Sequence, residues 1–420
     1  MSYQRRSAPP ATPIRHRRFT AIAVALVGIA CVRPGWSQEI LTEADIVRLA
    51  WARAPGSNLA DAAVDVANAK VNAAGLMPNP FVGWERETIT EGRDSEQDVF
   101  RVGVPIDIAR PLAQRSLAAA EGSWMKAEAS LTRTNAVLDA VFAYYDVVIG
   151  ELRITVREEQ ARQLDEAARV LRKREKAGTV SGYESTRLAI ASEIARSQLA
   201  ETRGSLLAAK ARLAGLLGIT VDSLAVDTTL SVAALPSETA LAQGGATDRD
   251  VAAHARDAQD AAAAAQARAA WTWLPAIQLE VGLNLESEFE TRHGYVAGLS
   301  LSVPVFDRGQ GVRAEAAAQV ALARTRSAAW TRSVQSDLAS AYADYTTTRA
   351  ELQRFDAATA EAAETLLLAA QSGYREGERS IVELLDAQRS RTEVRDRRLE
   401  LLAAAKRAEA RVRAAAGDLR

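Results

Sequence analysis

Cysteine is all but missing: the 420-residue sequence holds one, Cys31, within its first 37 residues. If those residues are removed, no disulfide framework, thiol chemistry or cysteine-based metal site is open to the rest of the chain. Histidine is as scarce. His16, His254 and His293 stand apart from one another, and beyond Met1 the only methionines are Met77 and Met125, so no metal-ligand cluster is available and none is assigned. Aromatic residues make up 5% of the chain while alanine dominates the apolar content, which argues against a bulky globular core. It argues for alanine-rich, charge-rich helices packed closely through small-residue seams.

Charge is nearly balanced, at −1, but unevenly placed. Residues 1–37 carry six arginines and no acid; what remains is 46 Lys and Arg against 53 Asp and Glu, a net of −7, which gives no support for nucleic-acid binding. Arg15, Arg17 and Arg18 precede an apolar run from Phe19 to Val32 that is short for a membrane span, and Gly35-Trp36-Ser37 supplies small residues at the positions a leader peptidase reads. Residues 1–37 therefore read as an export signal cut near Ser37. Cys31, preceded by Gly28-Ile29-Ala30, is either a lipidation site or lost with the leader.

What is present in abundance is repetition. Val104-Pro105 recurs as Val303-Pro304, Gly178 as Gly377, Glu184 as Glu383, Arg212 as Arg411 and Gly218 as Gly417, each pair 199 residues apart. Proline and glycine anchors break helices, so the echo is not that of one long coiled coil. Each repeat reads as a strand, a loop, a second strand ending in Val-Pro, a very long helix, a glycine-marked break and a shorter helix. The division is 38–218 for the first repeat, with a β-hairpin at about 79–106, and 248–420 for the second, with a hairpin at about 276–304. Residues 219–247, with Pro236 and Gly244-Gly245, are an irregular connector packed outside the helices. Ahead of the first hairpin, Leu41 to Leu76 carries one helical pattern.

The hairpins have the clearest local signal. Ile277, Leu279, Val281, Leu283 and Leu285 alternate with Gln278, Glu280, Gly282, Asn284 and Glu286, and Tyr295 to Val303 alternates likewise. Phe81–Glu87 and Val99–Ile106 form the matching pair, with Phe100, Val102 and Val104 on one face. Strands of about ten residues, apolar outside and polar inside, fit a transmembrane β-barrel wall, and four strands close a barrel only when several copies combine. The tracts from about Ala109 to Lys176 and from Gly311 to about Ser372 would reach roughly 100 Å as helices, through water and not lipid, given residues such as Arg162, Asp165, Glu166 and Arg169.

No constellation supports an enzyme. Gly309-Gln310-Gly311 lacks the Gly-Lys-Ser/Thr of a phosphate loop, and Glu361 and Glu364 share a helical face that reads as solvated surface. No cofactor is implied.

Three segments resemble the TolC-type outer-membrane efflux proteins, within them the CzcC-like branch: Leu76-Met77-Pro78-Asn79-Pro80, the run Val303-Pro304-Val305-Phe306-Asp307-Arg308-Gly309-Gln310-Gly311, and the run from Tyr374 through Gly377 and Arg379 to Asp386. The resemblance implies a mainly α fold with a small β part. It implies a homotrimer building one 12-stranded outer-membrane barrel, continued by a periplasmic α-helical tunnel that tapers shut. The implied function is a passive exit duct for metal cations or small toxic compounds, working with a periplasmic adaptor and an inner-membrane pump; a type I secretion duct of the same fold is the alternative. A soluble periplasmic coiled-coil scaffold is the rival class.

By the same resemblance the tip is a gate. Glu383 and Asp386, three apart after Gly377, would form carboxylate rings at the constriction. Tyr374 and Arg379 would bridge to Glu184 beyond the Gly178 turn, although the better-known pattern has Asp where Glu184 and Glu383 stand. The turns at Gly178 and Gly377 are the expected adaptor-docking surface.

Overall fold

The computed structural model describes residues 40–89, 95–221, 224–243, 249–287 and 291–419; the export-signal reading of 1–37, Cys31 and Gly244-Gly245 fall outside these. The chain is mainly helical. Its order is β1 (Ile40–Leu41), α1 (Glu43–Arg53), α2 (Pro55–Ala74), β2 (Phe81–Ile89), β3 (Ser95–Ile106), α3 (Ala109–Lys176) and α4 (Gly182–Leu217). Then come β4 (Ala225–Val226), α5 (Glu238–Gln243), α6 (Arg249–Ala269), β5 (Ile277–Ser287), β6 (Thr291–Leu301), α7 (Gln310–Glu376) and α8 (Ile381–Ala415). Helix, two strands, long helix, shorter helix occurs twice. Four of the five left-handed glycines fall into two pairs 199 residues apart, Gly178 with Gly377 and Gly218 with Gly417.

The single helical pattern read over Leu41 to Leu76 is in fact two helices. Ala54 is extended (φ −58°, ψ 140°) because the ring of Pro55 disfavours helical backbone in the residue before it, and Pro55 then opens α2, where its missing N–H costs nothing. Pro111 is tolerated in α3 for the same reason, in the first turn. The α3 and α7 helices, of 68 and 67 residues, are each about 100 Å long at 1.5 Å per residue.

Helices approach closely through alanine. Leu117, Ala120 and Ala127 of α3 meet Ala258, Ala262, Ala265 and Ala269 of α6, with Ala316 and Ala323 of α7 in the same layers, and all are buried. Gly56 of α2 passes so near α3 that a Cβ there would lie 2.5 Å from that of Ala136. Bulky side chains gather most densely at one level, where Val137, Val141, Tyr144, Tyr145 and Val148 pack with Ile46, Leu213 and Leu217. At that level the chain between α4 and α6 is tied down. β4 pairs in parallel with β1, the Tyr144 hydroxyl donates to the Asp227 carbonyl (3.1 Å), the Tyr345 hydroxyl donates to that of Ala233 (2.6 Å), and the Leu235 N–H donates back to Tyr345 (3.1 Å). The Ala233 N–H donates to Glu409, which with Glu43 holds the buried ammonium of Lys406.

The other four strands form one antiparallel sheet in the order β2-β3-β5-β6, so the two hairpins join through β3 and β5. Register aligns the apolar residues in rows: Trp84–Phe100–Leu283–Tyr295, Val82–Val102–Val281–Ala297, Val104–Leu279–Leu299 and Ile106–Ile277–Leu301. This face is exposed. In β5 every odd residue from Ile277 to Leu283 is exposed and every even one from Gln278 to Asn284 is not, the inverse of a water-soluble sheet. The opposite face carries Glu280, Gln278 and the Arg101–Glu85 ion pair (3.0 Å), with the Phe81 ring laid over Gly103. In this single chain the sheet is open, with β2 and β6 as edges.

β6 stops at Leu301, two residues before the predicted Val303 end, because Val305 N–H turns back to the Val303 carbonyl (2.9 Å) and Pro304 has no N–H to offer a ladder. Pro105 stays within β3, where pairing with β2 has already ended at Phe81↔Gly103.

The sheet makes a steric prediction. A methyl at Gly282 would overlap the Phe100 carbonyl oxygen, whereas at Gly298 its nearest neighbour is 3.6 Å away. Gly282→Ala is expected to cost about 1–3 kcal/mol, the usual penalty of overpacking, and to lower the denaturation midpoint in urea; Gly298→Ala is expected to match wild type.

Candidate functional site

The two long hairpins end in turns of one design. Gly178 (φ 75°) and Gly377 (φ 80°) take the left-handed conformation that ends α3 and α7. Thr179 N–H then donates to the Arg174 carbonyl (3.0 Å) and Glu378 N–H to that of Gly373 (2.8 Å), satisfying carbonyls the helix ends leave open. Three residues after each glycine a serine caps the next helix: Ser181 accepts from Glu184 N–H (3.3 Å), Ser380 from Glu383 N–H (3.4 Å). Each tip is therefore a fixed turn of one glycine and one serine.

The turns pack on each other's helices. Buried Ile381, with Leu384, Leu385 and Tyr374, joins Leu164, Ala168 and Leu171 of α3 and Leu188 of α4 in one apolar cluster. Glu184, expected as the partner of Tyr374, is near enough to act on it electrostatically, with no hydrogen bond between the two side chains. Burial, then the Glu184 carboxylate, pushes the Tyr374 hydroxyl above its ordinary value of 10.0, with Arg174 opposing. Arg379 does not reach Glu184 within the chain; its methylenes lie across Gly373 of its own turn. Glu383 is occupied by local structure. It accepts the Ser380 N–H (2.8 Å), completing a capping box for α8. Asp386, one turn on, is exposed in a cleft between α4 and α8 that also presents Arg157, Arg187 and Arg389.

A second constellation above the tip was not foreseen. Arg391 of α8, almost fully buried, donates to Glu364 of α7 (2.8 Å) and Glu159 of α3 (2.9 Å); Arg395, one turn on, donates to the same two carboxylates (2.7 Å to Glu364, 2.5 Å to Glu159). Glu364 is thus not the solvated surface residue its spacing suggested. Below it Gln388 donates to Gln163 (2.9 Å), and above it Asp396 faces Arg157 (2.5 Å) and Arg153 (3.6 Å). Three helices are joined by stacked polar layers.

Burial raises the pKa of Glu159 and of Glu364, but the arginine hydrogen bonds outweigh it and hold both below the ordinary 4.5. At Asp396 burial prevails over Arg157 and Arg153, and the pKa rises. The only sequence trace of this cluster was the spacing of Arg391 and Arg395, four apart on one face. Their acceptors lie up to 236 residues away.

Residues 243–418 match the outer membrane efflux protein family. Among solved structures, the chain is similar to the outer membrane protein VceC of Vibrio cholerae, with 17% identity, 89% of this chain and 96% of that one covered, and a TM-score of 0.70. It is similar to the CmeC outer membrane channel of Campylobacter jejuni (15%, 97% and 94%, TM-score 0.71) and to the open state of the MtrE outer membrane channel of Neisseria gonorrhoeae (16%, 90% and 89%, TM-score 0.71). No curated protein matches the chain. The fold is that of these outer-membrane channels.

The charge layers carry a signed pH dependence. Because Glu159 and Glu364 titrate below 4.5 when folded, their stabilisation is complete above that pH and drains away as pH falls through the lowered values. Asp396, with its raised pKa, works in the opposite sense, so the measure is a difference between proteins. Arg391→Met is expected to destabilise by about 1.5–3 kcal/mol at pH 7, the worth of charged hydrogen bonds. The gap from wild type in thermal midpoint should narrow as pH is lowered from 6 towards about 3, where the carboxylates protonate.

Proposed function

We propose that this chain is one of three identical subunits of an outer-membrane channel, the passive exit duct of a tripartite efflux system. The observation that carries the reading is the inverted sheet. Four strands turn a continuous apolar face outward and leave two edges unpaired, which no chain tolerates in a lipid environment unless the edges meet those of other copies. Three copies give 12 strands. Helices of about 100 Å, charged along their length, extend from one end of the sheet and suit an aqueous compartment.

The tip is the gate. Tyr374, packed on the apolar cluster of α3 and α4 and within the field of Glu184, holds the α7–α8 turn to the α3–α4 turn, while Arg379 serves a neighbouring subunit. Asp386 supplies the exposed carboxylate that threefold assembly turns into a ring, and with Glu383 spent largely on capping, this ring is the dominant one. Such a ring favours cations at a narrow, wet constriction and fits a cargo of metal cations or small toxic compounds. The turns at Gly178 and Gly377 are the docking surface for a periplasmic adaptor, which links the duct to an inner-membrane pump.

Two experiments test this reading. Leu283 belongs to the outward apolar row and its neighbour Asn284 to the inward face. A lysine on the lipid side costs about 2–4 kcal/mol near the bilayer midplane, while one facing the lumen stays hydrated. Leu283→Lys is expected to reduce assembled trimer on semi-native gels and Asn284→Lys to leave it intact; equal yields, or wild-type protein fractionating as soluble, would return the scaffold reading. For the gate, Tyr374→Phe with Arg379→Ser is expected to raise single-channel conductance in a planar bilayer, and an unchanged conductance would refute the latch.

A further inference from the structure

Each crossing between the four-stranded sheet and a helix carries large apolar side chains that the fold leaves uncovered. Met77 precedes β2, Ile108 follows β3, Trp271 and Trp273 precede β5, and Val305 and Phe306 follow β6; all are exposed, Phe306 to 92%. Aromatic residues are 5% of this chain, yet three stand exposed at this one level.

The height of the sheet says what covers them. From the Ile106–Ile277–Leu301 row to the Trp84–Phe100–Leu283–Tyr295 row is six residues along a strand, about 20 Å at 3.3 Å per residue. A barrel tilt of about 40° reduces this to about 15 Å, while the apolar band of an outer-membrane barrel is about 25 Å tall. The shortfall is not made up at the loop end. The next outward row there, Arg86–Asp98–Leu285–His293, has one apolar member, and Arg86 and Asp98 form an ion pair in it (2.7 Å). At the helix end exposed apolar residues continue through the crossings, with the polar Asn79 and Ser302 among them, until Arg110 and Asp307 form an ion pair at 3.0 Å.

We propose that the bilayer reaches past the sheet onto these crossings, so that its inner interface lies at the first turns of the helices and the strand-to-helix junction is itself embedded in lipid. The inference rests on the channel reading and adds to it a membrane depth and a set of lipid-contacting residues outside the barrel wall. Tryptophan suits the level: its ring belongs with acyl chains and its indole N–H with the headgroups.

Spin labels attached at single cysteines test the proposal in full-length protein carrying Cys31→Ser, reconstituted into phosphatidylethanolamine–phosphatidylglycerol vesicles. Trp273→Cys and Phe306→Cys are the test positions, Leu283→Cys on the outward row is the lipid reference, and Arg324→Cys on exposed α7 surface is the water reference. Labels at 273 and 306 are expected to collide readily with oxygen and poorly with a water-soluble nickel chelate, giving an oxygen-to-nickel ratio several-fold above that at 324 and close to that at 283. A nickel-accessible label at the test positions overturns the proposal by placing them in water. A label reached by neither agent overturns it too, because a second copy of the chain then covers the site. Nickel access at 283 itself would mean that the channel reading has failed, whereas a lipid signature at 283 with none at 273 or 306 removes the embedded junction alone.

Discussion

Backbone hydrogen bonding in a medium without water is the constraint on which the rest of this molecule depends. A strand in hydrocarbon has no solvent to satisfy its edge, so on the channel reading the four-stranded sheet needs other copies to complete it. That demand explains the repeat. A hairpin has two edges, two hairpins joined through β3 and β5 still have two, and each duplication widens the wall without solving the edge problem within a chain. It also explains why α2, α3, α6 and α7 all end at the same side of the sheet: every crossing must leave the lipid on the side from which the chain arrived.

How much of this was legible in the sequence varied with the range of the interaction. Period-two alternation in Ile277–Ser287 is written residue by residue, and so was the inversion that exposes its apolar side. The tip turns were equally plain, because Gly178 and Gly377 are needed for a backbone conformation that other residues rarely adopt. Pro55 was misread because an alanine-rich amphipathic pattern runs straight through it; the break is a steric fact about one preceding residue, invisible to periodicity. Glu159, Glu364, Arg391 and Arg395 could not be assembled in advance. Each alone looks like solvent-facing helix surface, and nothing local states which helices will lie side by side.

The helices use their few specific interactions unevenly. Alanine seams between α3, α6 and α7 give proximity with little selectivity, since one alanine layer resembles the next. Register is supplied elsewhere, by the Tyr144 and Tyr345 hydroxyls with buried Lys406 at one level and by the arginine–glutamate layers at another. Buried charges contribute less to net stability than an apolar core of the same volume would, but a misplaced one is heavily penalised. In slender helices that would otherwise slide, that intolerance sets the alignment.

The two tips share the series Gly-x-x-Ser-x-x-Glu, yet the glutamates have parted company. Glu383 folds back onto the N–H of Ser380 and belongs to its own helix, while Glu184, at the matching place, makes no such bond and acts on Tyr374 through its charge. Duplication handed the molecule two similar corners, and only one of them closes its capping box. A ring built from three such chains has six similar hairpins but only a threefold axis. On the channel reading, its aperture would therefore have threefold and not sixfold shape.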